Sequence, residues 1–290
     1  MIPVLLAAIS QVEATPSVTM SDGKTVYIRS FDIGTEIDVS RLKKSPVNLI
    51  ILRFNKWTPD AKQIATDLRT GPKGRRAVLI DFPALSVSPS NGLLWRKDWD
   101  ADGNGKPDAD APSWVGNRNA DGVYPLQTSN SALRSRMLGP TGLVAMVAKA
   151  GFDGIVVSAL QDPNRRFGVD AKFAAELMFE GRTRKSGFVV LLRNPGKLME
   201  YPAVKNYVDG FVADGLFFGR ERMNQPSNKQ FVDDSVKRLE WAIEKNKMVL
   251  SIAYTTDREQ IAENNRRAEE HSFIPLVVSK RFEFSELSSR

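Results

Sequence analysis

Asn48-Leu-Ile-Ile-Leu-Arg-Phe-Asn55 and Arg76-Ala-Val-Leu-Ile-Asp-Phe-Pro83 decide the fold. In each, apolar and mostly branched residues follow one another without alternating with polar ones. A strand with one face in water alternates; a strand buried on both faces, as in a parallel sheet, reads as a near-continuous apolar run. Five more runs repeat the pattern: Gly154–Leu160, Gly187–Asn194, Asp209–Gly215, Met248–Thr255 and Ile274–Lys280. Lys24-Thr-Val-Tyr-Ile-Arg-Ser-Phe-Asp32 reads as a further strand.

Stretches with helical spacing fill the gaps. They are Asp60–Arg69, Ser131–Leu138, Thr141–Gly151, Val169–Glu180, Phe231–Asn246 and Arg258–His271. Strands alternating with helices make right-handed βαβ units. Seven or eight such units in 290 residues predict α/β architecture, a single-domain (β/α)8 TIM-type barrel. An open doubly wound sheet is the alternative, but no GxGxxG follows the first strand. The barrel domain is expected over 21–290. Residues 1–20, with the apolar stretch Val4–Ile9, read either as the remnant of a signal peptide or as an N-terminal extension.

Composition excludes several chemistries. The chain has no cysteine, so it carries no disulfide, thiolate metal site or cysteine nucleophile. Its one histidine, His271, lies in a charged stretch and is expected to be solvated, which speaks against a Ser-His-Asp triad. The net charge of +7 is dispersed along the chain and nowhere interleaved with aromatics, so no nucleic-acid partner is expected. No apolar run is long enough to span a membrane.

The segment from Leu85 to Leu133 breaks the rhythm: it is long, irregular and rich in Pro, Asn, Ser, Asp and Trp. It follows the Arg76–Pro83 strand, and loops in that position lie on the active face of a barrel. Within it, Asp100-Ala-Asp102-Gly-Asn104-Gly-Lys106-Pro-Asp108 spaces oxygen ligands as a calcium loop does. Asp100, Asp102, Asn104 and Asp108 would offer side chains and Lys106 its carbonyl, although Ala111 stands where an EF-hand has its bidentate Glu. A structural Ca2+ is therefore expected; no organic cofactor is. Trp95 and Trp99 flank the loop and could stack on sugar rings or anchor the loop.

The remaining candidates sit at strand C-terminal ends: Arg53, Asp81, Ser86, Ser158, Asp162, Arg193, Asn194, Asp214 and Tyr254. Glycoside hydrolysis needs two carboxylates, and Asp81, Asp162 and Asp214 are the acids available there.

Several segments together resemble glycoside hydrolase family 114, the endo-α-1,4-polygalactosaminidases, which include the hydrolase domain of the enzyme that processes Pel polysaccharide. Gly151-Phe-Asp-Gly154 resembles its GFDG motif, Pro112-Ser-Trp114-Val-Gly116 its P-x-W-x-G loop, and Ala213-Asp214-Gly-Leu-Phe217 its A-E-S-L-F segment. The resemblance runs from about residue 47 to 284 and implies a barrel acting on a polysaccharide or oligosaccharide; a secreted or periplasmic bacterial protein is expected, with a cytoplasmic one as the alternative. It also marks departures. Arg53, Ser158 and Ala253 stand where the family has acids, Pro83–Ser86 replaces its S-I-G-E, and Gln161 replaces a second Asp. Asp214 is the acid retained. The resemblance thus implies either a glycosidase with relocated acids, or a non-catalytic barrel that binds a glycan or a protein, with Arg53, Trp95 and Trp99 lining the cleft.

Overall fold

The computed structural model describes residues 15–120, 122–159 and 166–279. Eight parallel strands form one sheet that is nearly closed into a barrel. They are β1 (Phe31–Thr35), β2 (Leu49–Arg53), β3 (Ala77–Phe82), β4 (Gly154–Ser158), β5 (Val189–Arg193), β6 (Gly210–Asp214), β7 (Met248–Tyr254) and β8 (Ile274–Val278). Each pairs with the next in chain order, and β8 lies beside β1. The helices are α1 (Val39–Lys44), α2 (Ala61–Leu68), α3 (Ser131–Leu138), α4 (Leu143–Lys149), α5 (Phe167–Arg184), α6 (Pro202–Tyr207), α7 (Lys229–Glu244) and α8 (Arg258–Glu270). The barrel is the predicted one, and the open sheet is excluded.

The seven unbroken runs are β2 to β8. The eighth strand differs from the sequence reading. The run Lys24–Asp32 divides: Thr25–Tyr27 pairs antiparallel with Ser17–Thr19, and β1 begins only at Phe31. Ser17–Thr19 falls in the stretch 1–20 set apart by sequence; residues 1–14 of that stretch lie outside those described.

Side chains alternate along each strand, so two apolar sets arise. Leu49, Ile51, Leu79, Val156, Leu191 and Leu250 fill the barrel interior. Ile50, Leu52, Ile80, Val157, Leu192 and Phe211 face the helices. Unbroken apolar runs are the consequence of both faces being dry. Val18, Met20, Val26 and Ile28 of the hairpin join the interior set and close the barrel at its N-terminal end. Gly187 permits this: its φ is +74°, and a Cβ there would stand 1.8 Å from the Thr19 carbonyl oxygen.

An Asp-Gly step begins two strands in the same way. Asp153 Oδ2 accepts from the Val78 N–H at 3.0 Å and Asp209 Oδ2 from the Val190 N–H at 2.8 Å. Cβ atoms on Gly154 or Gly210 would collide with the Val189 and Met248 carbonyls. Asp153 is almost fully buried and is held by Lys185 at 2.6 Å and Arg69 at 3.1 Å. The GFDG motif therefore secures a strand start at the closed end of the barrel, remote from the strand C-termini.

Candidate functional site

The alternation that fills the interior with apolar side chains ends in polar ones. The last inward positions of β1 to β7 are Thr35, Arg53, Asp81, Ser158, Arg193, Asp214 and Tyr254. Directly beneath them the inward residues are Ile33, Ile51, Leu79, Val156, Leu191, Val212 and Ile252. A polar ring thus sits on a dry apolar plug at the mouth of the barrel. Of the sequence candidates, Arg53, Asp81, Ser158, Arg193, Asp214 and Tyr254 belong to this ring.

The ring is a network centred on β5 and β6. Arg193 is 3% exposed, and its Nη1 lies 3.8 Å from Asp81 Oδ2. Burial alone would lower its affinity for the proton, but Asp81, Asp214 and Tyr254 outweigh this and hold it above the ordinary arginine value. Tyr254 donates its hydroxyl to Asp214 Oδ1 at 2.5 Å. Asp214 is held from behind as well: its N–H donates to Asn194 Oδ1 at 2.9 Å. Asn194 achieves this in the left-handed region, at φ +47°. Arg220, which sequence reasoning missed, donates from Nη1 to the Asp214 carbonyl at 3.4 Å. Ser158 pairs in register with Arg193, and its Oγ is buried with no hydrogen-bond partner among the described residues.

On the opposite side, Arg53 is 7% exposed and donates from Nη2 to Ser90 Oγ, which also bonds Ser88 Oγ at 2.8 Å. This ties the long loop to the ring. Gly92 docks on the end of β2 through its N–H to the Phe54 carbonyl, 2.8 Å, and a Cβ at Gly92 would strike the Asn55 carbonyl at 2.2 Å.

The loop is ordered and has its own core. Ser86 and Val87 pair antiparallel with Tyr124 and Pro125, so Ser86 is part of this clip and not of the ring. Trp99 is buried, packed edge-on against Trp95 (5.5 Å between centroids) and Trp114 (5.4 Å). Its ring therefore offers no open face for a sugar. Trp95 is half-buried and lies 4.4 Å from the Tyr124 ring. Among these aromatics the anchoring reading is the one the packing favours.

In the expected calcium loop, the side-chain oxygens turn toward backbone N–H groups of the loop itself. Asp102 Oδ1 accepts from Asn104, Asn104 Oδ1 from Lys106, and Asp108 Oδ2 from Ala101, at 2.7–3.0 Å. Arg118 packs beside Gly105 and donates its backbone N–H to the Gly105 carbonyl at 2.8 Å. Asp100 Oδ2 takes the Tyr124 hydroxyl and the Gly105 N–H, while its buried Oδ1 has no partner among the described residues. Burial would raise the Asp100 carboxyl, but those bonds with Asp102 and Arg118 together bring it below the usual carboxylate range; Tyr124 is pushed up by its own burial and by Asp100. Among the described residues no three His, Cys, Asp or Glu side chains gather as a metal cluster.

Two sequence readings are amended and one falls outside what is described. Asp162 lies outside the described residues. Ala253, aligned with a family acid, faces the helices, so an acid there would not reach the mouth. His271 is not simply solvated: its ring stacks near Phe217 and Phe273, and Nδ1 lies 3.0 Å from Glu240 Oε1. No helix among the described residues is long and apolar enough to cross a membrane.

Fold and strand order define a (β/α)8 barrel with a polar mouth. The glycoside hydrolase domain of PelA from Pseudomonas aeruginosa superposes with a TM-score of 0.57, covering 86% of this chain and 92% of that one at 12% identity. A variant of the same domain gives 0.58 at 13% identity. An alpha-galactosidase from Thermus thermophilus, in complex with stachyose, gives 0.50 at 12% identity over 89% of this chain and 62% of that one. In sequence, an uncharacterized protein of Methanocaldococcus jannaschii is 21% identical over 277 residues, 87% of this chain and 75% of its own length. No protein-family model matches the chain.

Proposed function

We propose that the chain is a divergent relative of glycoside hydrolase family 114 whose barrel mouth binds a polysaccharide or oligosaccharide without retaining the family's hydrolytic arrangement. The observation that carries this reading is Ser158. It points inward on β4 at the position where the family pattern has an acid, and among the described residues its buried hydroxyl has no hydrogen-bond partner. A serine cannot protonate a glycosidic oxygen at neutral pH, and without a base it is a poor nucleophile.

The ring suits binding. Arg53, Arg193 and Tyr254 carry hydrogen-bond donors, while Asp81 and Asp214 carry acceptors. Hydroxyl-rich rings need both kinds of group at fixed positions, and a dry floor strengthens each bond. The likeness to the PelA domain and to a galactosidase crystallised with a sugar supports a carbohydrate ligand. The Asp100–Asp108 loop is proposed to hold a structural calcium ion through Asp100, Asp102, Asn104, Asp108 and the Lys106 carbonyl. The partnerless Asp100 Oδ1 supports that assignment, and such a loop suits a secreted or periplasmic protein.

One observation favours a second reading, a glycosidase with relocated acids. Arg193 lies 3.8 Å from Asp81 Oδ2, and Asp214 also stabilises its charge, so both carboxylates bear on one guanidinium. Binding and cleavage assays on galactosaminogalactan-like oligomers, with Asp214→Asn and Asp81→Asn, separate the two readings. Binding with no new reducing ends supports the first. Cleavage abolished in either variant establishes the second.

A further inference from the structure

A second space lies behind the mouth. It is a cavity of about 250 Å³, partly open to solvent. Ala213, which faces away from the barrel axis, lines it, so β6 separates it from the ring. Met199 and Leu239 add to its apolar wall. The polar wall comes from α7, where Asp234, Ser235 and Arg238 lie within one helical turn and share a face.

Arg220 closes one side of the cavity and is already engaged. Its guanidinium lies over the Phe231 ring, 3.8 Å from the centroid, its Nη1 donates to the Asp214 carbonyl at 3.4 Å, and it makes further contacts. It is wall, not a group open to a ligand. The three α7 side chains differ. Among the described residues none of them makes a side-chain hydrogen bond or ion pair. Asp234 and Arg238 stand in i,i+4 relation without closing, whereas Lys229 and Asp233 of the same helix close at 2.5 Å. The open charges are therefore one of each sign, with a hydroxyl between them.

We propose that this cavity is a separate site for a neutral, polyhydroxylated ring of monosaccharide size. A carboxylate only accepts hydrogen bonds and a guanidinium only donates them, and each can engage two neighbouring groups at once. A ligand that satisfies both side by side must both donate and accept along one edge, which is what adjacent ring hydroxyls do. Ser235 can take either role. Met199, Ala213 and Leu239 face the C–H side of the ring. A charged sugar gains nothing here: an acid is drawn to Arg238 but repelled by Asp234, an amine the reverse, and desolvating the added charge remains as a cost. The site also touches the support of the mouth, because Asn194, in its lining, accepts the Asp214 N–H. The inference does not require the mouth itself to bind a glycan.

The test is a titration of 15N-labelled protein with D-galactose, with D-galacturonate and D-galactosamine as anionic and cationic counterparts. The expected result is saturable shifts at Asn194, Ser235 and Arg238 for galactose, with both charged counterparts weaker. Galactose binding should weaken by about tenfold in Arg238→Gln, the size of one lost charge-assisted hydrogen bond. Ser235→Ala gives a second, smaller loss that keeps the test open if the first variant does not fold. Three results overturn the proposal: galactose shifts centred on Ser158 and Tyr254 or absent altogether, a charged counterpart that binds as well as galactose, or galactose affinity unchanged in the folded variants.

Discussion

The Tyr254 hydroxyl donates to Asp214 Oδ1 at 2.5 Å, joining the last inward residues of two neighbouring strands. Asp214 is thereby fixed on one side by a phenol and on the other by Asn194, which accepts from its backbone N–H. A carboxylate so held is an acceptor of defined direction. In Tyr254→Phe that direction is lost while the fold persists, because the ring still packs on the interior cluster. We expect glycan affinity to fall by about five- to tenfold with less than about 1.5 kcal/mol lost in stability, the usual net worth of one hydrogen bond. Calorimetric titration and a melting curve on the same sample check both parts.

Arg193 and Asp81 form a pair shielded from water on both sides, with 4% and 9% of their side chains exposed. Removing one member leaves a buried charge uncompensated. Arg193→Ala should destabilise the protein by about 3 kcal/mol or more. The double variant Arg193→Met, Asp81→Leu should recover much of that loss. Denaturant unfolding of the singles and the double measures it, and additive losses would contradict the pairing.

Ser158 behaves oppositely. Its buried Oγ has no partner among the described residues, so replacing it with Ala removes no hydrogen bond seen there. Ser158→Ala should change stability by less than about 1 kcal/mol, within the range of substitutions that disturb no special feature. A large loss would show that the hydroxyl is held by a group or water outside the described contacts.

The acid response of the long loop follows from Asp100. Its carboxyl is lowered in the folded chain, so the stability it contributes is present above the unfolded value, about pH 3.9, and is lost as pH falls through the folded value. Trp95, Trp99 and Trp114 surround the loop and report its opening. Their fluorescence should change below about pH 4, and Asp100→Asn should already show the loosened state at neutral pH. A chelator should lower the melting temperature of the wild-type protein and leave that of Asp100→Asn unchanged. No chelator effect on the wild type would remove calcium from the account.

Gly187 tests how the barrel is closed below. Its φ of +74° and the Thr19 carbonyl leave no room for a side chain. Gly187→Ala should destabilise by at least about 1 kcal/mol and raise amide exchange at Val18 and Val26 before the barrel strands.

Much of this architecture was legible in the sequence because the physics is local. A strand dry on both faces must be apolar throughout, and seven of the eight strands announce themselves in that way. β1 does not: Phe31-Asp-Ile-Gly-Thr35 carries Asp32 and Gly34 on its outward face, where Arg41 of α1 bonds the Asp and the space at Gly34 is filled by Arg41 and Leu42. The ring was partly legible, since Arg53, Asp81 and Arg193 each interrupt an apolar run near its end. What sequence lacked was direction. Ser158 and Ala253 both stood out against the family pattern, yet only one faces the mouth. Trp99 could stack on a sugar or anchor the loop as far as sequence goes; it is buried, because its partners Trp95 and Trp114 come from separate parts of the loop. Arg220 lies outside any strand and gave no signal of its proximity to Asp214.

The central claim is that the mouth binds a glycan that it no longer cleaves. The most direct measurement is a proton NMR time course of galactosamine- and N-acetylgalactosamine-containing oligomers with wild-type protein, Arg53→Gln and Asp214→Asn. Line broadening of the oligomer by the wild type, weakened in both variants, with no reducing-end signal appearing over days, is the predicted result. Reducing ends that accumulate with the wild type and vanish with Asp214→Asn, or oligomers that remain sharp at every protein concentration, would contradict it.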